Sequence, residues 1–235
     1  RPALEDAVQA ASGLDDHDFH ESLEALLRLY LVKRLRMHED KESLLSGRRY
    51  FVHPFTRDYL ESRRTQDDEK MLYPRLAVFY RTYVPERGGS PEKEGSAEVR
   101  ELNGELDNIV GVLEGCWRSG AGPLTVPVMQ SMARWLFTES HWDVLERCGS
   151  RAVVEAEAAG DTHAAARILA EMGRTYAYRL EFDRAALTFE RATKLARRKP
   201  ADRWAVAYLQ HHLGESLMRQ KKYREARPIL QKSLD

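Results

Sequence analysis

Cysteine is scarce: Cys116 and Cys148 are the only two in 235 residues, and they form no CxxC pair. With no accompanying histidine cluster, neither a disulfide framework nor a zinc site is indicated, and a reducing cytoplasm is the expected setting. Net charge is absent too, with 37 Lys+Arg against 37 Asp+Glu. Long apolar runs are missing. The longest uncharged ones, such as 29–32, hold only a few residues, against the ~20 that a helix needs to cross a bilayer, so no membrane contact is expected. The start shows no basic, apolar and small-residue succession of a signal peptide. With Arg1 in place of Met, the chain is expected to be a piece of something longer. Catalytic signatures are lacking as well: GxxxxGKS or GxxxxGKT, GxSxG, HExxH and a Gly-rich phosphate loop after a strand do not occur. His20-Glu21 has no second histidine. No enzyme chemistry is expected of these residues.

What is present is the composition of an ordinary globular chain, 43% hydrophobic and 31% charged. The zero net charge hides a gradient. Residues 1–66 carry −1, 67–122 carry −4 and 123–235 carry +5, an asymmetry that bears on partners rather than on fold.

Residues 3–11 read as a short helix that Gly13 ends. A second helix follows, capped by Asp16 or Asp18, with Phe19, Leu23, Leu26, Leu27 and Tyr30 in one apolar stripe. The period then changes to alternation from Leu31 to Met37. After a polar segment with Gly47, Tyr50-Phe51-Val52 reads as a second strand, which makes a two-stranded wing. Pro54 suits the first turn of a helix over 54–64 that buries Phe55, Tyr59 and Leu60. Helix, helix, wing, helix outlines a winged-helix domain at 1–66.

A helical spacer fills 67–122. Met71, Leu72, Leu76, Phe79, Tyr80 and Tyr83 recur at helical spacing, 85–97 concentrates turn formers and charge as a mobile loop, and 98–118 resumes a helix. From 123 onward only helices are expected, and an internal repeat appears there at an offset of 41 residues. It pairs Gly173 with Gly214, Tyr176 with Leu217, Phe182 with Tyr223, Ala185 with Ala226, Phe189 with Leu230 and Ala192 with Ser233. A weaker copy at offset 40 sets Ala133, Leu136, Trp142, Leu145 and Ala152 on the same register. Small residues let two helices approach, and large ones fill the layer beside them.

These intervals of Gly, Tyr, Ala, Phe and Ala resemble the tetratricopeptide repeat, a helix-turn-helix unit. The resemblance implies a right-handed α-solenoid with a degenerate unit at 126–160, one at 166–200 and a third at 207–235. More repeats are expected beyond Asp235, since solenoid ends need polar caps. Pro228 should bend the last helix, and Trp117, Trp135, Trp142 and Trp204 are expected in the core.

The fold expected is therefore mainly α, a winged-helix domain with a small β wing, then a spacer, then a repeat solenoid. That order resembles the region after the ATPase core in STAND-class signal-transduction NTPases of the NB-ARC type. Two motifs carry the resemblance: Tyr50-Phe51-Val52-His53-Pro54-Phe55-Thr56-Arg57-Asp58-Tyr59-Leu60, like the winged-helix signature in which a His opens the last helix, and Glu105-Leu106-Asp107-Asn108-Ile109, like the element that begins the spacer helix. The resemblance implies a nucleotide contact by His53, ADP or ATP with Mg held by an ATPase domain upstream in cis, and homo-oligomerisation once a ligand opens the switch. An imidazole at a helix N-terminus lies among unpaired amides, where an anion is favoured.

In such arrays the first helices line a concave groove. Projecting the register places Arg134, Phe137, Arg167, Arg174, Tyr178, Tyr208, His211 and Glu215 on it, a set of arginines and aromatics that suits a protein or peptide ligand with carboxylate or phosphate groups. His211-His212 could suggest a metal pair, but adjacent helical residues diverge by roughly 100° and no carboxylate or cysteine was found to complete it, so no metal is expected. DNA is not an expected partner either, because Asp18, Glu21 and Glu24 give the candidate reading helix an acidic face that phosphates repel. A plain scaffold without a nucleotide switch, or the sensor part of a STAND-type transcription regulator, are the alternative readings.

Overall fold

The computed structural model describes residues 3–35, 48–52, 54–88, 96–198 and 202–234, and these are mainly helical with one small sheet. Chain contacts divide the protein into two compact units, Arg1–Leu124 and Thr125–Asp235.

Unit 1 runs β1 (Ala3–Leu4), α1 (Glu5–Ser12), α2 (Asp16–Arg28), β2 (Val32–Arg34), β3 (Arg49–Val52), α3 (Pro54–Arg63), α4 (Gln66–Gly88), α5 (Ala97–Arg118) and a 3-10 turn at Gly122–Leu124. The sheet has three strands rather than two, all antiparallel in the order β1-β3-β2. The helix expected over 3–11 yields its first two residues to β1, because Ala3 and Leu4 pair with Tyr50 and Arg49 on the open edge of β3. Gly13 ends α1 at φ 68, a value that costs glycine nothing. Asp15, not Asp16 or Asp18, caps α2 by accepting from the Asp18 amide at 2.9 Å.

Phe19 and Leu23 of α2 and Tyr50 of β3 form the core beneath the sheet, with Val8, Leu27 and Val32 against it. The expected stripe fails at its far end. Leu26 and Tyr30 are exposed, because α2 stops at Arg28 and Tyr30 turns to φ 56, off the helix face. Tyr59 and Leu60 on α3 are likewise exposed rather than buried, and the Phe55 side chain lies outside the described residues, as do His53 and Gly47. Helix α4 continues through Pro85 to Gly88, into the stretch expected as a mobile loop over 85–97. Residues 89–95 lie outside the described residues, and Ser96 opens α5 by accepting from the Val99 amide.

A buried charge holds this unit together. Glu105 on α5 is fully buried and accepts from Arg49 of β3, from the Tyr80 hydroxyl of α4 at 2.8 Å and from Asn108 Nδ2 at 3.1 Å. Burial, then the Glu105 charge, pushes the Tyr80 phenol well above its ordinary range, so it remains a neutral donor. Strand, α4 and α5 meet on one carboxylate. Removing one member of such a pair strands the other charge in low dielectric.

Unit 2 is six helices: α6 (Thr125–Thr138), α7 (Trp142–Ala158), α8 (Thr162–Tyr178), α9 (Phe182–Ala196), α10 (Arg203–Arg219) and α11 (Tyr223–Lys232). Helix α8 packs on α6, α7, α9 and α10. The repeat is written in the turns. Ser140, Leu180 and Lys221 all adopt left-handed backbone, at φ 62, 64 and 62. Each is followed by the same closing bond, from the amides of His141, Glu181 and Lys222 to the carbonyls of Leu136, Tyr176 and Leu217. Asp161 and Asp202 cap α8 and α10 in the same way, each accepting at 2.9 Å from the third amide onward.

The expected small-to-large crossing is present twice. A methyl group at Gly173 would lie 2.7 Å from the Phe189 ring, and one at Gly214 would lie 2.5 Å from Leu230. The helices begin about four residues ahead of the expected second and third units, because the aspartate caps precede the register residues. Trp135 is buried as expected, but Trp204 is exposed. Both cysteines are free and buried, and burial pushes the Cys116 thiol up to about 11.

Three stability measurements follow from these contacts. Glu105→Ala should destabilise unit 1 by about 3–5 kcal/mol in urea unfolding, and Arg49→Met with Glu105→Leu should recover only part of it, since Tyr80 and Asn108 still lose their acceptor. Gly173→Ala should lower the unfolding midpoint of unit 2 by about 1–3 kcal/mol, since the new methyl overlaps Phe189. Gly111→Ala, in α5 with nothing within 4 Å of the added carbon, should instead stabilise by up to about 1 kcal/mol.

Candidate ligand groove

Helices α6, α8 and α10 are the first members of the three hairpins of unit 2, and α8 touches both of the others. Residues at equivalent positions therefore form rows across the three helices. One row holds Arg134, Arg174 and Glu215, a second Ser131, Glu171 and His212, and a third Thr138, Tyr178 and Arg219.

Arg174 is the centre of the cluster these helices form. Its Nη1 donates to Glu171 Oε2 at 2.6 Å and to the Tyr208 hydroxyl at 2.8 Å, and Tyr208 donates in turn to Glu171 Oε1 at 2.6 Å. The guanidinium lies 3.8 Å above the Phe137 ring, which meets Tyr178 edge-on at 5.1 Å. Three helices are thus joined through one side chain. Burial, then Glu171, pushes the Tyr208 phenol up, which keeps its proton in place for Glu171.

Around this centre the side chains are partly satisfied by one another. Arg167 donates to Asp202 at 3.1 Å and lies over Trp204, which stacks on Tyr208 at 5.0 Å and 16°. Arg219 donates to Glu215 at 3.2 Å and lies 3.9 Å above Tyr178. The His212 ring meets Tyr208 at 4.4 Å and its Nδ1 is 3.1 Å from Glu215 Oε2. Burial, reinforced by Arg174, pushes the His212 imidazole down to about 4, so the ring is neutral at pH 7. Arg134 is exposed and has no ion pair among the described residues, and its charge reaches Tyr208.

Of the residues expected on a groove, Arg134, Arg174, Tyr178, Tyr208 and Glu215 lie close together on α6, α8 and α10, with Arg167 beside them. Two need correction. Phe137 is buried beneath Arg174 and forms floor rather than contact surface. His211 is exposed but sits one residue off, and His212 takes the inward position. Glu171, His212, Trp204 and Arg219 were not foreseen. The 41-residue offset reaches one of them from an expected residue, carrying Tyr178 to Arg219, and joins two others, Glu171 to His212. The histidine pair was expected to lack a carboxylate, and Glu215 supplies one.

Compared with protein-family models, curated proteins and solved structures, the chain matches none. The groove is therefore read from its own chemistry. Forked donors stacked on rings, with carboxylates between them, offer the groups for charge-assisted hydrogen bonds and aromatic contact.

The division between fixed and free arginines is measurable. Arg174→Met leaves Glu171 largely buried without its cation and should cost unit 2 about 2 kcal/mol in chemical unfolding. Arg134→Met should stay within about 0.5 kcal/mol of the parent, as an exposed, unpaired side chain does.

Proposed function

We propose that the chain is a regulatory, ligand-sensing module without catalytic activity of its own, in which the groove of α6, α8 and α10 takes a protein or peptide segment. The observation that carries this is pre-organisation. Arg174 is locked by Glu171, Tyr208 and Phe137, so the groove keeps its shape with nothing bound, and a ligand need not meet the entropic cost of ordering it. The exposed cation Arg134, the rim arginines Arg167 and Arg219, and the exposed rings of Trp204 and Tyr178 suit an extended segment carrying carboxylates and a large side chain.

On this reading unit 2 is a tetratricopeptide array. Supporting it are the two glycine crossings, the three identical left-handed turns and the paired aspartate caps. Unit 1 is then a winged helix and spacer, supported by the antiparallel sheet packed on α2 and followed at once by α3. The whole would be the regulatory region of a STAND-class NTPase of the NB-ARC type, with His53 touching a nucleotide held, with Mg, by an upstream ATPase domain. Ligand capture in the groove would release that domain to oligomerise. The exposed acidic positions Asp18, Glu21 and Glu24 of α2 favour a protein over DNA as partner.

Selection of random displayed peptides on the whole chain, followed by fluorescence anisotropy of those recovered, tests the groove. Arg134→Glu should weaken the selected peptides by about tenfold or more, and raised salt should do the same. Arg198→Glu, exposed at the far end of α9, should change binding less than twofold. Failure to select any peptide, or equal loss in both variants, would remove the groove from the account.

A further inference from the structure

His211, His212 and Glu215 lie on one turn and a half of α10, and nothing in the peptide-binding reading uses them together. Each offers one ligand atom, a ring nitrogen or a carboxylate oxygen, and the three atoms lie within 4.8 Å of one another. The spacing explains why. His211 and Glu215 are i,i+4, and His212 and Glu215 are i,i+3, so both imidazoles reach the same carboxylate although they leave the helix in different directions. The two rings meet edge-on at 5.1 Å.

We propose that these three side chains form a binding site for a divalent transition-metal ion of the zinc class. Two histidines and one glutamate are a ligand set that zinc accepts, with bonds of about 2.0–2.2 Å and a fourth position left open for water. Donors around a tetrahedral ion stand roughly 3.4 Å apart at such bond lengths. The Nδ1 of His212 and Oε2 of Glu215 already stand at 3.1 Å. The remaining closure of about an ångström falls to His211, whose ring is exposed and can turn.

Arg219 holds Oε1 and leaves Oε2 facing the histidines, so it orients the glutamate as an outer partner does. The cations nearby, Arg219 and Arg174, reduce the affinity without blocking the ligand atoms. Metals of this class outrank magnesium and calcium here, since imidazole donors suit the former and oxygen donors the latter.

The test uses the whole chain freed of any affinity tag. Titration with Co2+, followed by its visible d–d absorption, should reach one ion per chain, and Zn2+ should displace it. His211→Asn and Glu215→Gln, with circular dichroism matching the parent, should each lower Co2+ affinity by about tenfold or more. Zn2+ should raise the thermal midpoint of the parent and leave those of the variants unmoved. Absence of binding to the parent, or unchanged affinity in both variants, would overturn the site. These outcomes are independent of whether any peptide binds, so the two proposals can fail separately.

Discussion

A glycine on one helix pressed against a large side chain of the next sets the spacing on which unit 2 depends. At Gly173 against Phe189, and again at Gly214 against Leu230, there is no room for even one more carbon. Close approach at those crossings lets α9 follow α8, and α11 follow α10, with the same hairpin geometry, closed each time by a left-handed residue at the turn. Because the hairpins match, their first helices present equivalent positions in rows. The groove is therefore a consequence of backbone spacing on the opposite side of the same helices. None of its polar residues is needed to make the crossings, which leaves those residues open to specialise.

Specialisation is visible in how differently one position is used. Arg134, Arg174 and Glu215 occupy equivalent sites, yet the first is solvated, the second is tied into a three-helix network and the third is a carboxylate shared by Arg219 and His212. The rule that decides is burial. A guanidinium covered by Phe137 and Tyr208 must find a carboxylate, and Glu171 is the one within reach. An exposed guanidinium has no such requirement. Arg174 thus contributes shape and Arg134 contributes available charge, although the sequence register alone makes them look alike.

Unit 1 shows the same logic with a different outcome. Glu105 belongs in the sequence to a Glu-x-x-Asn-aliphatic element, and its structural use is as the shared acceptor for Arg49, Tyr80 and Asn108. Helical periodicity made α2, α4, α5 and the repeat helices legible, because each buries a stripe with period near 3.6. It failed where tertiary edges decide. Two residues at β1 become a strand only because β3 has an open edge. Tyr59 and Leu60 obey the pattern of a buried face while remaining exposed in the structure. The groove was half legible. The register placed Arg174 and Tyr208, but it also put His211 where His212 belongs, a rotation of roughly 100°. Contacts between helices, such as Arg219 over Tyr178, leave no trace in the periodicity of either helix and appear only when the repeat offset is followed through every polar position.

The alternation of sign along the groove constrains what it can hold. Arg174 is offset by Glu171, Arg167 by Asp202 and Arg219 by Glu215, so only Arg134 presents a cation with no fixed partner among the described residues. A uniformly acidic ligand would gain at Arg134 and meet repulsion from Glu171 and Glu215. A ligand with one carboxylate placed near Arg134 and an apolar side chain against Trp204 would meet no such penalty. Discrimination of this kind works by differences in affinity, with the internal carboxylates acting as the repulsive element. On the proposed reading, the +5 charge of residues 123–235 would attract anions at a distance, whereas the paired arrangement on α6, α8 and α10 would select among them by where along the segment their charge falls.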